Sequence, residues 1–393
     1  MKYVVVVGDG MADYPLEPLG GKTPLQAAEK PHMDEIARRG RCGLLRTVPE
    51  GMEPGSDVAN LAILGYDPRK YYTGRGPLEA ASIGVELGPG DLAFRCNLVT
   101  EGDGVLTSSN ADHITTEEAR PLIEALARAF RDYGEFYPGV SYRHLFVLRE
   151  CREDKIATTP PHDIVGQAIA KHMVGPDGLL ARRLNELILA SRNILEGHEA
   201  NMARLKAGRK PGNMIWIWGQ GRRPRMESFQ KRFGIAGSVI SAVDLVKGIG
   251  ILLGMEVPKV PGATGYYDTN YEGKADYALR ALEERDFAYV HVEAPDEAGH
   301  AGDLERKIEA IEALDRRLLG RLLDGLGDDT ALAILPDHPT PISLRAHVAD
   351  PVPFAIYRPG GKGDGIAFDE FSARSGSLGL LEGEEFMPLL LEG

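Results

Sequence analysis

With 393 residues and a formal charge of −13, the chain is long enough for two domains of ~150–200 residues and too acidic for a nucleic-acid or anionic-membrane partner. Three scattered cysteines (Cys42, Cys96, Cys151) without CxxC spacing exclude a disulfide framework and fit a reducing cytoplasm. No apolar run reaches the ~18 residues of a membrane span, and the run in "MKYVVVVGDG" is too short for a signal peptide, so a cytoplasmic protein without a membrane partner is expected.

Residues Tyr3 to Val7 form a β-branched apolar run, the pattern of a strand buried on both faces, and it delivers Asp9 between two glycines. "TPLQAAEKPHMDEIARRG" reads as helical pieces broken at Pro31 and stopped at Gly40, and "CGLLRTVP" as a strand. In "GMEPGSDVANLAILGYDP", Ser56 stands at the start of a helix-like run. It has two readings: a helix cap, or a nucleophile in the positive field of a helix N-terminus.

From about Thr73 the chain turns glycine-rich with short alternating stretches. "DHITTEEARPLIEALARAF" has a Thr-x-x-Glu start and helical spacing, "GVSYRHLFVLRE" reads as a strand, and "LLARRLNELILASRNILEGHEAN" as a long amphipathic helix. Residues 73–211 are therefore predicted to be an inserted α+β domain. "NMIWIWG" is read as the strand with which the first domain resumes, giving a discontinuous domain over 1–72 and 212–393. Strand and helix patterns then alternate to the late strand in "PVPFAIYRPG", which implies an α/β sheet with helical layers on both faces.

Two later apolar runs end in carboxylate and imidazole. The first, Phe287 to Val292, leads to Asp296 and His300; the second, "ALAIL", leads to Asp337 and His338, with His347 nearby. Ligands of open α/β sheets bind outside the carboxyl ends of the strands, so parallel neighbours would bring Asp9, Asp296 and Asp337-His338 to one edge. Carboxylate with imidazole suits divalent metals. Each residue also has a bland reading: Asp9 as a turn acid, His347 as a surface histidine, and Asp296 and His300 on one face only if the Gly299-containing segment is helical.

Taken together, "DGMAD", "GSDVANLAILGYDP", "PDEAGHAGD", "PDHPTP" and His347 resemble the cofactor-independent phosphoglycerate mutases in their archaeal-type form, within the alkaline phosphatase-like metalloenzymes. The resemblance spans nearly the whole chain. It implies a three-layer catalytic domain with a central, mostly parallel sheet. It also implies two divalent ions (Mn, Zn, Co or Mg), one on Asp296, His300 and His347, the other on Asp9, Asp337 and His338 with Ser56 close by. Ser56 would be the phosphoryl acceptor in interconverting 3-phosphoglycerate and 2-phosphoglycerate, without 2,3-bisphosphoglycerate. The insertion would be the lid that excludes water.

The "RPDR" element of larger family members does not align cleanly here, so substrate contacts rest on residue chemistry. Arg143, Arg222 and Arg223 are candidate anion clamps for the small phosphorylated substrate, or a solvated basic loop. Lys247 is a further candidate for the phosphate, and Asp112 and His113 for acid/base work, with helix capping as the other reading of Asp112. A homoserine kinase-like phosphotransferase, a metal-dependent phosphohydrolase and a metal-stabilised binding protein are the alternatives. No GxxxxGK[ST] loop is present.

Overall fold

The computed structural model describes residues 1–153 and 155–392. The chain makes β1 (Lys2–Gly8) and β2 (Arg41–Arg46), then β3 (Leu92–Gly102), β4 (Val105–Ser108), β5 (Glu135–Tyr137), β6 (Arg143–Leu148) and β7 (Met214–Gly221). It finishes with β8 (Gly237–Ile240), β9 (Phe287–Val292), β10 (Thr330–Leu335), β11 (Val352–Tyr357) and β12 (Gly379–Glu382). These strands build two sheets in two units, Met1–Tyr72 with Arg225–Gly393, and Thr73–Pro224.

The first unit carries the sheet β12-β2-β11-β10-β1-β9-β8. It is mostly parallel: β1 pairs in parallel with β9 and β10, β8 with β9, and β12 with β2, while β11 runs antiparallel to both neighbours. Successive side chains of a strand face opposite layers. Val4 and Val6 enter a core shared with Ile36, Tyr271, Ile311 and Leu314 from helices on one face. On the alternate positions Tyr289, the register partner of Val5, reaches Asn60 of the helix Ser56–Ile63. Both faces are therefore covered, as continuous apolar strand runs require.

The second unit is built on an antiparallel sheet, β4-β3-β6-β5 with β7 on the other side of β3. Its helices Thr116–Ala129 and Leu179–Leu195 bury Leu122, Ile123, Leu184 and Ile188 against Phe94, Phe146 and Trp216. Thr115 and Glu118 form the expected reciprocal cap.

One boundary differs from the sequence reading. The strand carrying both tryptophans pairs with β3 (Val99↔Met214, Cys96↔Ile217), so the unit ends at Pro224 rather than at 211. A short, wholly apolar run announces a buried strand without saying which sheet it joins. Among the described residues no helix is long and apolar enough to cross a membrane.

Candidate metal centre and nucleophile

Because β9, β1 and β10 are adjacent and parallel, their carboxyl ends converge. Asp9 follows β1, Asp337 follows β10, and Asp296 lies in the helix Ala294–Ala301 just after β9. That segment is helical despite Gly299. A Cβ at Gly299 would stand 2.5 Å from the Thr340 carbonyl oxygen, so glycine is needed for the close approach of the Asp337 loop. Gly10 meets the same demand: it has φ +61, and a Cβ there would stand 2.5 Å from Asp296 Oδ1.

Asp296 holds two imidazoles, with Oδ2 3.3 Å from His300 Nε2 and Oδ1 3.4 Å from His347 Nε2. Asp9 Oδ1 lies 3.5 Å from His338 Nε2, and Asp337 Oδ2 lies 3.7 Å from the same nitrogen. Ser56 Oγ completes this cluster, 3.3 Å from Asp9 Oδ2 and 3.1 Å from His338 Nε2. Ser56 is the first residue of its helix and caps nothing; Gly55 occupies the cap position. The hydroxyl is directed at the ligand cluster, and the capping interpretation falls away.

The cluster is deep at one end and open at the other. Asp9, Asp337 and His338 are buried, whereas His300 is exposed. Donor atoms also group in a second way: Asp296, His338 and His347 within 4.8 Å of one another, and Asp9, His291 and Asp337 likewise. A third grouping joins Glu293 to Asp9 and Asp296; of all these residues only His291 and Glu293 are not singled out by the sequence.

Three observations show that these residues fit a cation. Nδ1 of His300 lies 3.0 Å from the Arg345 carbonyl oxygen and Nδ1 of His347 lies 3.4 Å from that of Pro54. A carbonyl only accepts, so each Nδ1 carries a hydrogen, and Nε2 is left as the atom that holds either a second proton or a metal ion. Those two Nε2 atoms face each other at 2.8 Å, a geometry that calls for a proton or a metal ion at that point. Second, Asp9 Oδ1 is buried without a hydrogen-bond partner. Third, burial pushes the Asp9 carboxyl well above its usual range, reinforced by Asp337, Asp296 and Glu293. Several carboxylates cannot all ionise in one dry place without positive charge.

The histidines supply part of that charge. Burial would raise Asp296, but hydrogen bonds from His300 and His347 outweigh it and hold the carboxyl well below the ordinary range. Burial alone would lower His300; the bond to Asp296 reverses this and lifts the imidazole to about 9. His338, fully buried, is held below the usual histidine value by desolvation.

Neutral groups fix the ligands. Asn60 Nδ2 donates to Asp337 Oδ2 (2.9 Å) and to the Ser56 carbonyl oxygen (2.8 Å), and Tyr289 donates to Asn60 Oδ1 (2.6 Å). One amide thus ties the nucleophile's helix to a ligand. Lys307, fully buried, pairs with Asp13 at 2.7 Å and donates to the Ala12 and Thr340 carbonyl oxygens, clamping the loop after β1 to the loop after β10.

The remaining candidates stand elsewhere. Lys247 pairs with Asp244 on its own helix at 2.6 Å. In the second unit, Arg222 donates to the Gly90 and Cys151 carbonyl oxygens, each at 2.8 Å, which is a structural tie, and Arg223 is exposed. Asp112 and His113 are exposed within a left-handed run with Ala111 (φ 49, 54 and 52 for Ala111, Asp112 and His113), so Asp112 caps no helix. Arg143 lies near Arg95, whose guanidinium sits 4.6 Å from the Trp218 ring centroid, with Arg75 5.5 Å from the same ring.

Comparison with known proteins adds a family context. Residues 37–201 match the family described as 2,3-bisphosphoglycerate-independent phosphoglycerate mutase. The whole chain is 58% identical to the Methanothermobacter thermautotrophicus protein named 2,3-bisphosphoglycerate-independent phosphoglycerate mutase 2, covering 98% of it. It is 54% identical to the Methanothrix thermoacetophila protein named 2,3-bisphosphoglycerate-independent phosphoglycerate mutase, with both chains covered in full. The solved structure of the cofactor-independent phosphoglycerate mutase from Thermoplasma acidophilum is 31% identical, with 100% of this chain and 99% of that one covered and a TM-score of 0.67.

Proposed function

The chain belongs to the 2,3-bisphosphoglycerate-independent phosphoglycerate mutases, and from that premise we propose how its residues carry out the isomerisation. Ser56 accepts the phosphoryl group of 3-phosphoglycerate or 2-phosphoglycerate, and the glycerate's other hydroxyl recovers it. The observation that carries this reading is the position of Ser56 Oγ, 3.1 Å from His338 Nε2 and 3.3 Å from Asp9 Oδ2, at the first residue of a helix.

Two divalent ions are assigned to this cluster, one to Asp296, His300 and His347, the other to Asp9, Asp337 and His338 with Ser56. When bound, such ions neutralise phosphoryl oxygens and favour the ionised form of a serine hydroxyl. The chain's own residues do the rest. The Ser56 Oγ–P bond forms as the substrate's P–O bond breaks, and the proton lost by Ser56 is balanced by the one gained by the departing oxygen. The amino end of the Ser56–Ile63 helix favours the phosphoryl charge. Asn60 holds Ser56 and Asp337 in register, so little rearrangement accompanies the transfer. Arg143, beside Arg95 and Arg75, supplies a cationic group of the kind that receives a carboxylate or phosphate. Asp112 and His113 are assigned to the glycerate hydroxyl protons. No 2,3-bisphosphoglycerate takes part.

A coupled enolase assay on metal-loaded protein, without added bisphosphate, tests this. Turnover from 3-phosphoglycerate is expected. Release of inorganic phosphate with no 2-phosphoglycerate would indicate a phosphohydrolase, and ATP-dependent phosphorylation of an amino alcohol would indicate a kinase.

A further inference from the structure

We infer that His291 is an additional imidazole ligand of the divalent ion on Asp9 and Asp337, an inference that rests on the two-ion reading above. His291 is the fifth residue of β9, in register with Val7 of β1, and so looks toward the residue where Asp9 leaves the sheet. Its side chain has no exposed surface. Nε2 lies 3.1 Å from Asp9 Oδ2, yet neither Nε2 nor Nδ1 has a hydrogen-bond partner.

A structural buried histidine ordinarily has its N–H directed at an acceptor. His291 has none, and the oxygen 3.1 Å from its Nε2 belongs to Asp9, a carboxylate whose other oxygen is also without a partner. Lys274 donates to the backbone carbonyl oxygen of this residue at 2.8 Å, not to its ring. One donor atom each from Asp9, His291 and Asp337 lie within 4.8 Å of one another. Two carboxylates and an imidazole are a donor set suited to manganese or zinc. Asp337 Oδ1 accepts from the amides of Gly10 (3.2 Å) and His338 (2.9 Å), so the carboxylate is held just past the end of β10, while His291 is held within β9 and Asp9 directly follows β1.

The test titrates metal-free protein with Mn²⁺, reading bound ions per chain by elemental analysis and ¹⁴N couplings by pulsed EPR. Two equivalents are expected for the wild type. His291→Ala is expected to keep one at unchanged affinity and to bind the other at least ~10-fold more weakly, with fewer nitrogen couplings; losses of this size already follow removal of groups outside the ligand shell. His291→Gln, which keeps most of the volume, guards against collapse of the site, and thermal melting of both metal-free variants reports folding. Two equivalents in a folded variant, with affinity and couplings unchanged, overturn the role of His291 alone. A wild type that binds fewer than two overturns the two-ion reading and this inference with it.

Discussion

Arg204 and His291 are both fully buried, one in each unit, and they are treated in opposite ways. Each nitrogen of the Arg204 guanidinium is engaged: Nε with the Lys210 carbonyl oxygen, Nη1 with Glu118, and Nη2 with the carbonyl oxygens of Ala111 and Asp112. It thereby holds the left-handed run that presents Asp112 and His113. His291 and its neighbour Asp9 are as deeply placed and keep atoms without partners. At Arg204 polar burial satisfies the protein; at His291 it leaves valence for something the chain does not supply. Unmet donor capacity, more than burial, marks the chemical site.

That contrast can be broken most severely at Ser56. Ser56→Ala is expected to lower turnover by several orders of magnitude, on the ~10⁶ scale of nucleophile removal elsewhere, and to abolish phosphoryl labelling. The melting temperature should hardly move, because no helix cap is lost. A labelled, active alanine variant would refute the nucleophile.

Next in size are two of the buried cations, Lys307 and Arg204. Lys307→Met and Arg204→Ala each leave a buried carboxylate or carbonyl group unpaired, at ~3–5 kcal/mol. Lys307→Met is expected to weaken Mn²⁺ binding as well, whereas Arg204→Ala is expected to destabilise only the second unit. Tryptophan fluorescence isolates that unit, because Trp216 and Trp218 both lie in β7. A loss of metal affinity in Arg204→Ala would erase the distinction between the units.

Asn60→Ala is a smaller perturbation. Without the amide, Asp337 Oδ2 and the Tyr289 hydroxyl lose their partner, costing ~1–3 kcal/mol. Turnover should fall ~10–100-fold while stoichiometric metal binding survives. Unchanged turnover would reduce Asn60 to a packing residue.

The gentlest probe is pH at His144 in β6. Burial, aided by Arg120, holds this imidazole down at about 3. Above pH ~6.5 neither folded nor unfolded chain protonates it, so it contributes no slope. Between ~6.5 and about 3 the unfolded chain takes up the proton first, and stability falls by up to ~1.4 kcal/mol per pH unit as the solution is acidified. The tryptophan-detected urea midpoint should therefore drop between pH 6.5 and 5.0, and drop less in His144→Asn. Equal slopes in the two proteins would dismiss the assignment.

Much of the centre was legible because it sits where patterns stop. Asp9, Asp296, Asp337 and His338 follow apolar runs, and a run's end is visible in sequence. His291 escaped because it lies inside a run: in "AYVHVEA" an imidazole among apolar neighbours passes for one more sheet-facing side chain. Lys307 escaped similarly on an amphipathic helix, where a lysine is assigned to solvent by default. Gly299 was taken as weakening its helix, when the need for it lies in the approach of Thr340, a contact made over forty residues away. The placement of β7 in the second sheet had no local signal at all, since "MIWIW" satisfies either sheet.

The sheet order also sets a timetable for synthesis. β1 pairs only with β9 and β10, whose residues begin at Phe287 and Thr330, while the second unit closes at Pro224. On the ribosome the inserted unit is complete while β1, with Asp9 behind it, still has no strand beside it. At ~5–20 residues per second this interval lasts on the order of ten seconds. During it an exceptionally apolar strand edge, Val4 to Val7, is present in an unpaired chain. The first unit pays for its late-assembled centre with exposure to chaperones and to neighbouring nascent chains, a cost that the inserted unit escapes.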